Sequence, residues 1–399
     1  MATVAARVTH ASLLTYSRWL LYVIVGALPL YVVRWHYGPL PTTLLETLII
    51  VTVVLYVVAR WREGMRRPIA AAYDVPIALL LVAGAIAVVV ATDHRAALGL
   101  YRAYFIEPVA VFYVAIDALQ NIEHVTDAIV AFAIGSSIFA LINLDVFARA
   151  LASHAVNVGA APNAFYGDAN YVAMYMEPPV AMATGFLVFG QGRRMKLAGA
   201  AWLAITGAAL LVMFSKGSYA ALLGLVLLVV ITAPKWRLPV LGALVAAAVI
   251  ATQIPLVMQR LSTIPPSLNG RQEIFGAAIG MIRDHPIFGL GLGGFSYQFR
   301  GTSPEIYPHD VWLTFWVELG ILGVVAFAVI LFGLLWRGWR AWPGLPDAYR
   351  PALWGVLAAL VVWTVHGFVD SPYWKNDMSV EFWMLAAIQV VVLWAARRT

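Results

Sequence analysis

Lys216, Arg271 and His309 are the residues of this chain whose types and positions could do chemistry within an otherwise apolar sequence. Lys216 lies in Phe214-Ser215-Lys216-Gly217-Ser218, a hairpin between two apolar stretches so short that its ammonium must stay near a membrane interface. A cation there, beside a glycine and two hydroxyls, suits a phosphate; the plainer alternative is a snorkelling lysine. Gly270-Arg271 opens a segment to Asp284 whose apolar residues Ile274, Phe275, Ala278, Met281 and Ile282 recur at helical spacing, with His285-Pro286 as a stop. An arginine at a helix start opposes the macrodipole, and a bound anion would relieve that conflict. Gly289, Gly291, Gly293 and Gly294 follow. Such a run lets the backbone approach a ligand closely; it could form an anion nest, or equally pack against another helix.

His309-Asp310 directly precedes an apolar stretch, where Asp310 makes a good N-cap. His309 reads either as a reactive imidazole or as a satisfied interfacial histidine. Asp310, Thr314 and Glu318 repeat every fourth residue, a polar stripe descending into apolar sequence, and ionisable groups at such depth are functional candidates. Asn170 and Glu177 share a helical face seven residues apart, with Asp168 just before them, although Glu177 before Pro178-Pro179 could simply mark a kinked end. His366 with Asp370, and Asp377 with Glu381, read as structural pairs near Lys375.

The elements that must position these groups are membrane helices. Of 399 residues, 62% are hydrophobic and 12% charged, with a mean hydropathy of +0.83. So few charges cannot give a chain of this size a polar skin, which excludes a water-soluble globule. The net charge of +6 comes without the basic, polar-interleaved run of a nucleic-acid face. No cysteine is present, so disulfides, thiolate metal sites and thiol nucleophiles are excluded. Apolar stretches of membrane-crossing length fall near 17–33, 43–60, 75–92, 103–120, 125–144, 171–189, 197–214, 218–233, 238–256, 311–336, 352–369 and 378–396. The expectation is an all-α integral membrane protein with about twelve transmembrane helices, residues 1–399 forming a single domain. With both termini on one side, the loops of that side hold sixteen of the 26 Lys and Arg residues, among them Arg66, Arg67, Arg193, Arg337, Arg340 and Arg397. The positive-inside rule then makes the termini cytoplasmic. Residues 257–309, between the ninth and tenth spans, become one large outer loop, and loops of that length are usually functional. The helix opened by Arg271 gives it order.

Four features in sequence order resemble the O-antigen ligase and polymerase superfamily: Gly167-Asp168-Ala169-Asn170; Phe214-Ser215-Lys216-Gly217; Gly270-Arg271 with Pro286-Ile287-Phe288-Gly289-Leu290-Gly291 and Phe295; and His309 before Glu318-Leu319-Gly320-Ile321-Leu322-Gly323. The motifs span roughly residues 160 to 325. This chain has Lys216 where the family commonly has arginine, and Asp310 where it often has asparagine. The resemblance implies a membrane-embedded glycosyltransferase in the bacterial inner membrane, its site facing the periplasm or exterior, whose donor is a glycan on undecaprenyl pyrophosphate. The acceptor would be lipid A core for a ligase, another lipid-linked repeat for a polymerase, or a protein for an O-oligosaccharyltransferase.

On that resemblance, Lys216 and Arg271 would bind the donor pyrophosphate and favour its departure electrostatically, with no metal or other cofactor. His309 would take the acceptor proton, neutral imidazole being a base near neutral pH, with Asp310 or Glu318 as the carboxylate alternative. Asp168, Asn170, Asp310, Glu318, Gly291 and Gly293 would contact substrate. Displacement without a protein nucleophile inverts the anomeric centre. A transporter or flippase for the same lipid-linked glycans is the rival class, but such proteins show paired halves with interrupted helices, and no second copy of the long outer loop exists.

Overall fold

The computed structural model describes residues 2–38, 40–64, 72–262, 264–301 and 304–398; Arg66 and Arg67, used above for orientation, lie outside them. The chain is an all-α membrane protein, 79% helical. In chain order its helices are α1 (Ala2–Gly26), α2 (Leu44–Arg62), α3 (Asp74–Val90), α4 (His94–Tyr101), α5 (Glu107–Ala118), α6 (Ile122–Ala152), α7 (Ala169–Phe189) and α8 (Gly192–Val212). There follow α9 (Lys216–Thr232), α10 (Arg237–Thr252), α11 (Pro255–Ser262), α12 (Ile264–Asp284), α13 (Gly294–Gln298), α14 (Val311–Ala341), α15 (Arg350–Gly367) and α16 (Asn376–Ala396). A π-helical turn, Arg102–Ile106, joins α4 to α5. The hairpin of β1 (Arg34–Tyr37) and β2 (Leu40–Thr43) is the sole sheet among the described residues, and its last residue starts α2 through a capping box between Thr43 and Glu46.

Each of the twelve apolar stretches is largely helical. Eight helices among the described residues are long and apolar enough to cross a membrane; residues Leu13–Gly26 of α1, together with α3 and α9, are shorter apolar helices. The first stretch differs from its expected bounds, because α1 stops at Gly26 and a 3-10 turn, Leu28–Val32, follows. The helix N-terminal to Pro29 loses continuity there, since proline lacks the N–H that an α-helical bond requires.

Helices α7 and α16 are each 83% buried across their apolar windows, with the similarly buried α15 between them and α8 and α9 outside. Gly185 and Gly355 let α7 and α15 approach: a Cβ on Gly185 would lie 2.9 Å from the Gly355 nitrogen. By contrast, α10 has no buried residue and touches mainly α9 and α11.

One break in a helix decides where the loop after α12 docks. Within α14, Gly320 adopts φ 70° and ψ −170°, conformations open to glycine but strained for other residues. The released Val317 carbonyl accepts from the Leu290 N–H at 2.7 Å, while Ile321 N–H donates to the Ile287 carbonyl at 3.2 Å. The glycine-rich motif and the Glu318–Gly323 motif are thus two halves of one joint.

Two expectations need correction. The helix holding Arg271 begins at Ile264, so Arg271 lies in its second turn rather than at its start and is under no conflict with unsatisfied N–H groups. It ends at Asp284, before His285-Pro286 as expected. The pairs read from i, i+4 spacing are also different: His366 Nδ1 lies 2.5 Å from Glu177 Oε1, both side chains 1% exposed, while Asp370 turns to His309 and Asp377 accepts from Tyr166 Oη at 2.5 Å. Tertiary partners outcompeted neighbours on the same helix.

Candidate functional site

Where α7, α9, α12 and the segments before α14 and α16 meet, a cavity of about 570 Å³ opens. Its wall brings together Asp168, Asn170, Ser215, Lys216, Gly217, Arg260, Arg271, Glu305, His309 and Asp370. Five of these, Asp168, Asn170, Lys216, Arg271 and His309, are sequence-predicted site residues separated by up to 141 positions (309 − 168).

Local caps hold the walls. Asp168 caps α7, and its side chain accepts from Asn170 N–H at 2.8 Å. Ser215 caps α9 and accepts from Ser218 N–H at 3.3 Å, which leaves Lys216 at the first turn, facing the cavity. Gly217 lies against His366: a Cβ there would come within 2.5 Å of His366 Nε2, so the glycine allows the ring of α15 to pack under the cavity floor.

The helices of the long loop are latched onto this frame by the cations themselves. Arg260 Nε donates to the Phe214 carbonyl at 2.9 Å, and an Arg271 guanidinium N–H donates to the Val369 carbonyl. Both arginines, from α11 and α12, line the cavity together with Lys216 of α9. Three cations around one polar cavity favour an anion, and guanidinium groups suit phosphate geometry.

A hydrogen-bonded chain runs along the same wall. Ser215 Oγ donates to Asn170 Oδ1 at 2.5 Å, and Asn170 Nδ2 donates to Asp370 Oδ2. Asp370 Oδ1 lies 3.2 Å from His309 Nδ1, and His309 Nε2 lies 2.9 Å from Glu305 Oε2. His309 itself adopts φ 54°, an uncommon conformation outside glycine that aims the ring between the two carboxylates. Burial disfavours its imidazolium, but the hydrogen bonds and charges of Asp370 and Glu305 outweigh burial and push its pKa up to about 9. Burial likewise disfavours the Asp370 carboxylate, and the bond to His309 reverses that, holding Asp370 well below the usual carboxylate range. The resting pair at neutral pH is an imidazolium between two carboxylates.

The other expected residues lie behind the wall. Asp310 is the N-cap of α14 and accepts from Leu313 N–H at 2.8 Å. Thr314 Oγ1 donates to the Asp310 carbonyl at 2.6 Å and lies 2.7 Å from Ser371 Oγ, beside Asp370. Glu318 is fully buried and accepts from the N–H groups of Gly293 and Phe295. The N–H groups of the glycine run thus point at a carboxyl group of the protein itself, that of Glu318. Gly291 packs on α3, where a Cβ would lie 2.5 Å from the Ala87 carbonyl oxygen. Among the described residues no three His, Asp or Glu side chains are placed to hold a metal ion.

Arg260, Glu305 and Asp370 are cavity residues that sequence reasoning did not single out for the site. Asp370 carried a signal, an acidic residue at the end of an apolar stretch, but its spacing suggested His366 as partner. Arg260 and Glu305 are ordinary charges in a polar loop, and only the docking of that loop distinguishes them.

Residues 199–328 match the family model described as O-antigen ligase, the family whose motifs the sequence resembles. The matched segment contains Lys216, Arg260, Arg271, Glu305 and His309, whereas Asp168, Asn170 and Asp370 lie outside it. No curated protein matches the chain.

Proposed function

We propose, from a chain whose residues 199–328 form an O-antigen ligase region, that this membrane glycosyltransferase moves a glycan from undecaprenyl pyrophosphate to an acceptor hydroxyl in the cavity just described. The observation that carries the reading is the joining of three cations and a His309–Asp370 pair in one cavity. Lys216, Arg260 and Arg271 bind the pyrophosphate. As the bond between the anomeric carbon and the pyrophosphate oxygen breaks, charge grows on that oxygen, and cations already fixed around it favour the transition state. The acceptor oxygen bonds to the anomeric carbon from the opposite face, which inverts it.

The acceptor proton goes to His309. Asp370 on Nδ1 orients the ring so that Nε2 faces the cavity, and Glu305 holds Nε2 while no acceptor is present. A bound acceptor hydroxyl replaces Glu305 at Nε2, which removes one carboxylate's support for the imidazolium; the Nε2 proton leaves to water, and the neutral ring then acts as a base. Asp168 and Asn170, on the cavity wall, border the sugar. Asp310, Glu318, Gly291 and Gly293 serve from behind, keeping His309 and the α12 to α14 connection in place. The 257–309 segment lies on the outer side of the membrane in this reading, with both termini cytoplasmic, and residues 1–399 act as a single membrane domain.

Purified protein incubated with lipid-linked glycan and separate acceptors tests the reading. A new glycosidic bond formed without any gradient supports the transferase; transport without bond formation refutes it in favour of a flippase. Lipid A core, lipid-linked repeat or protein as the productive acceptor separates ligase, polymerase and oligosaccharyltransferase.

A further inference from the structure

A second basic cavity, of about 510 Å³, lies at the other end of the helix bundle. It is lined by Arg337 and Arg340 near the end of α14, Arg397 just beyond α16, the aromatic residues Tyr73, Trp336 and Trp394, and the apolar Val390 and Leu393. Helix α14 begins beside His309 and, after its break at Gly320, continues from Ile321 to Trp336, a stretch of about 24 Å at the α-helical rise, so the two cavities lie toward opposite ends of the bundle and are assigned to opposite membrane faces.

Its chemistry differs from the first cavity. Among the described residues no carboxylate lines it. The Arg337 guanidinium lies over the Tyr73 ring at 5.7 Å and that of Arg340 over the Trp336 ring at 5.5 Å. Both guanidinium groups thus sit against aromatic rings, and a guanidinium can offer paired N–H donors to an oxyanion. A depression lined by Trp394, Arg397 and Arg398 adjoins and extends the basic surface. Trp336 is 62% exposed and Val390 and Leu393 continue from the arginines toward the membrane interior, so an occupant with a phosphate head and an acyl body meets matching groups along its length.

We propose that this cavity is a binding site for the phosphate headgroup of an anionic glycerolipid in the leaflet opposite the transfer site. Basic pockets between membrane helices suit such headgroups, and the guanidinium groups of Arg337 and Arg340 supply the contact. The site is independent of the proposed transferase chemistry, since none of its residues lines the cavity around His309.

The full-length protein in detergent micelles, titrated with phosphatidylglycerol or phosphatidylcholine and followed by native mass spectrometry and thermal unfolding, tests this. Phosphatidylglycerol is expected to bind at least tenfold more tightly than phosphatidylcholine and to raise the unfolding temperature. R337Q/R340Q should lose about tenfold of that affinity, while R193Q, a charge on the same face outside the cavity, should lose none. If the double variant does not fold to a monodisperse species, Arg397→Gln, beyond the last helical turn, is the variant scored and should show a reduced affinity. Equal binding of the two lipids, or equal losses in R193Q and the cavity variant, overturns the proposal. Soluble glycerol phosphate reproducing the whole stabilisation at the same concentration also overturns it, by assigning the site to a free phosphate.

Discussion

Replacing Glu305 by Gln is expected to raise the transfer efficiency of this protein at neutral pH, although Glu305 lines the cavity and bonds the proposed base. His309 is held with a pKa of about 9 against an ordinary 6.5, a difference worth ~3 kcal/mol in favour of the imidazolium. At pH 7 only about 1% of a group with such a pKa is neutral, so a free enzyme that needs neutral His309 works far below its capacity. Burial acts against the imidazolium, so the two carboxylates together supply more than the net difference. Removing the Glu305 charge, bonded at 2.9 Å, should lower the pKa by about one, raising the neutral fraction and kcat/KM at pH 7 about tenfold. The assay is the initial rate of transfer to acceptor at saturating donor between pH 6 and 10. The wild type should climb to a break near 9, and Glu305→Gln should break about one pH unit lower. His309→Gln should lose about 10²- to 10⁴-fold on the wild-type plateau above pH 9, with a smaller loss at lower pH where the wild-type imidazole is protonated. A hundredfold loss in Glu305→Gln with an unmoved break would show that Glu305 itself takes the proton, and a flat wild-type profile from 7 to 9 would remove His309 as the base.

Other outcomes follow from the same geometry. Arg271→Ala should lose about 10- to 100-fold in transfer, the worth of one charge-assisted bond, with Arg271→Lys also impaired and Lys216→Arg tolerated; donor-saturated turnover equal to wild type in Arg271→Ala would end the pyrophosphate role. The stability that His309 contributes is fully present below pH 6.5 and lost as pH rises through about 9, because its folded pKa is raised; thermal unfolding of wild type and His309→Gln should converge above pH 9, and a constant gap would contradict the paired imidazolium. Gly320→Ala should destabilise by ~3 kcal/mol or more, since its Cβ would lie 2.0 Å from the Ile287 carbonyl oxygen in a left-handed conformation; an unchanged unfolding temperature would mean the joint between the loop and α14 can relax. Single cysteines at 296 and 192 should label from outside the cell only at 296, and labelling at 192 would invert the proposed topology.

The sequence by itself determined the class of this protein, because scarcity of charge and runs of apolar residues are sums over neighbours in the chain and need no tertiary partner. It also located Lys216, Arg271 and His309, since charge beside apolar sequence is costly wherever the chain folds. The N-cap at Asp310 was legible too, because capping involves only neighbours in the chain. Partnership was another matter. Spacing of four suggested that Asp370 belongs to His366, yet the fold gives His366 to Glu177 and Asp370 to His309, across 61 residues of chain. Glu318 read as a group bordering a ligand, and the docking of the glycine run made it a buried acceptor for backbone N–H groups. Arg260 and Glu305 reach the cavity wall only through the packing of α11 and the segment before His309. The proton state of His309 has the same origin: its pKa follows from two carboxylates four and 61 positions away, and the electrostatic energy of such a cluster depends on distances and burial that exist only after the helices have packed.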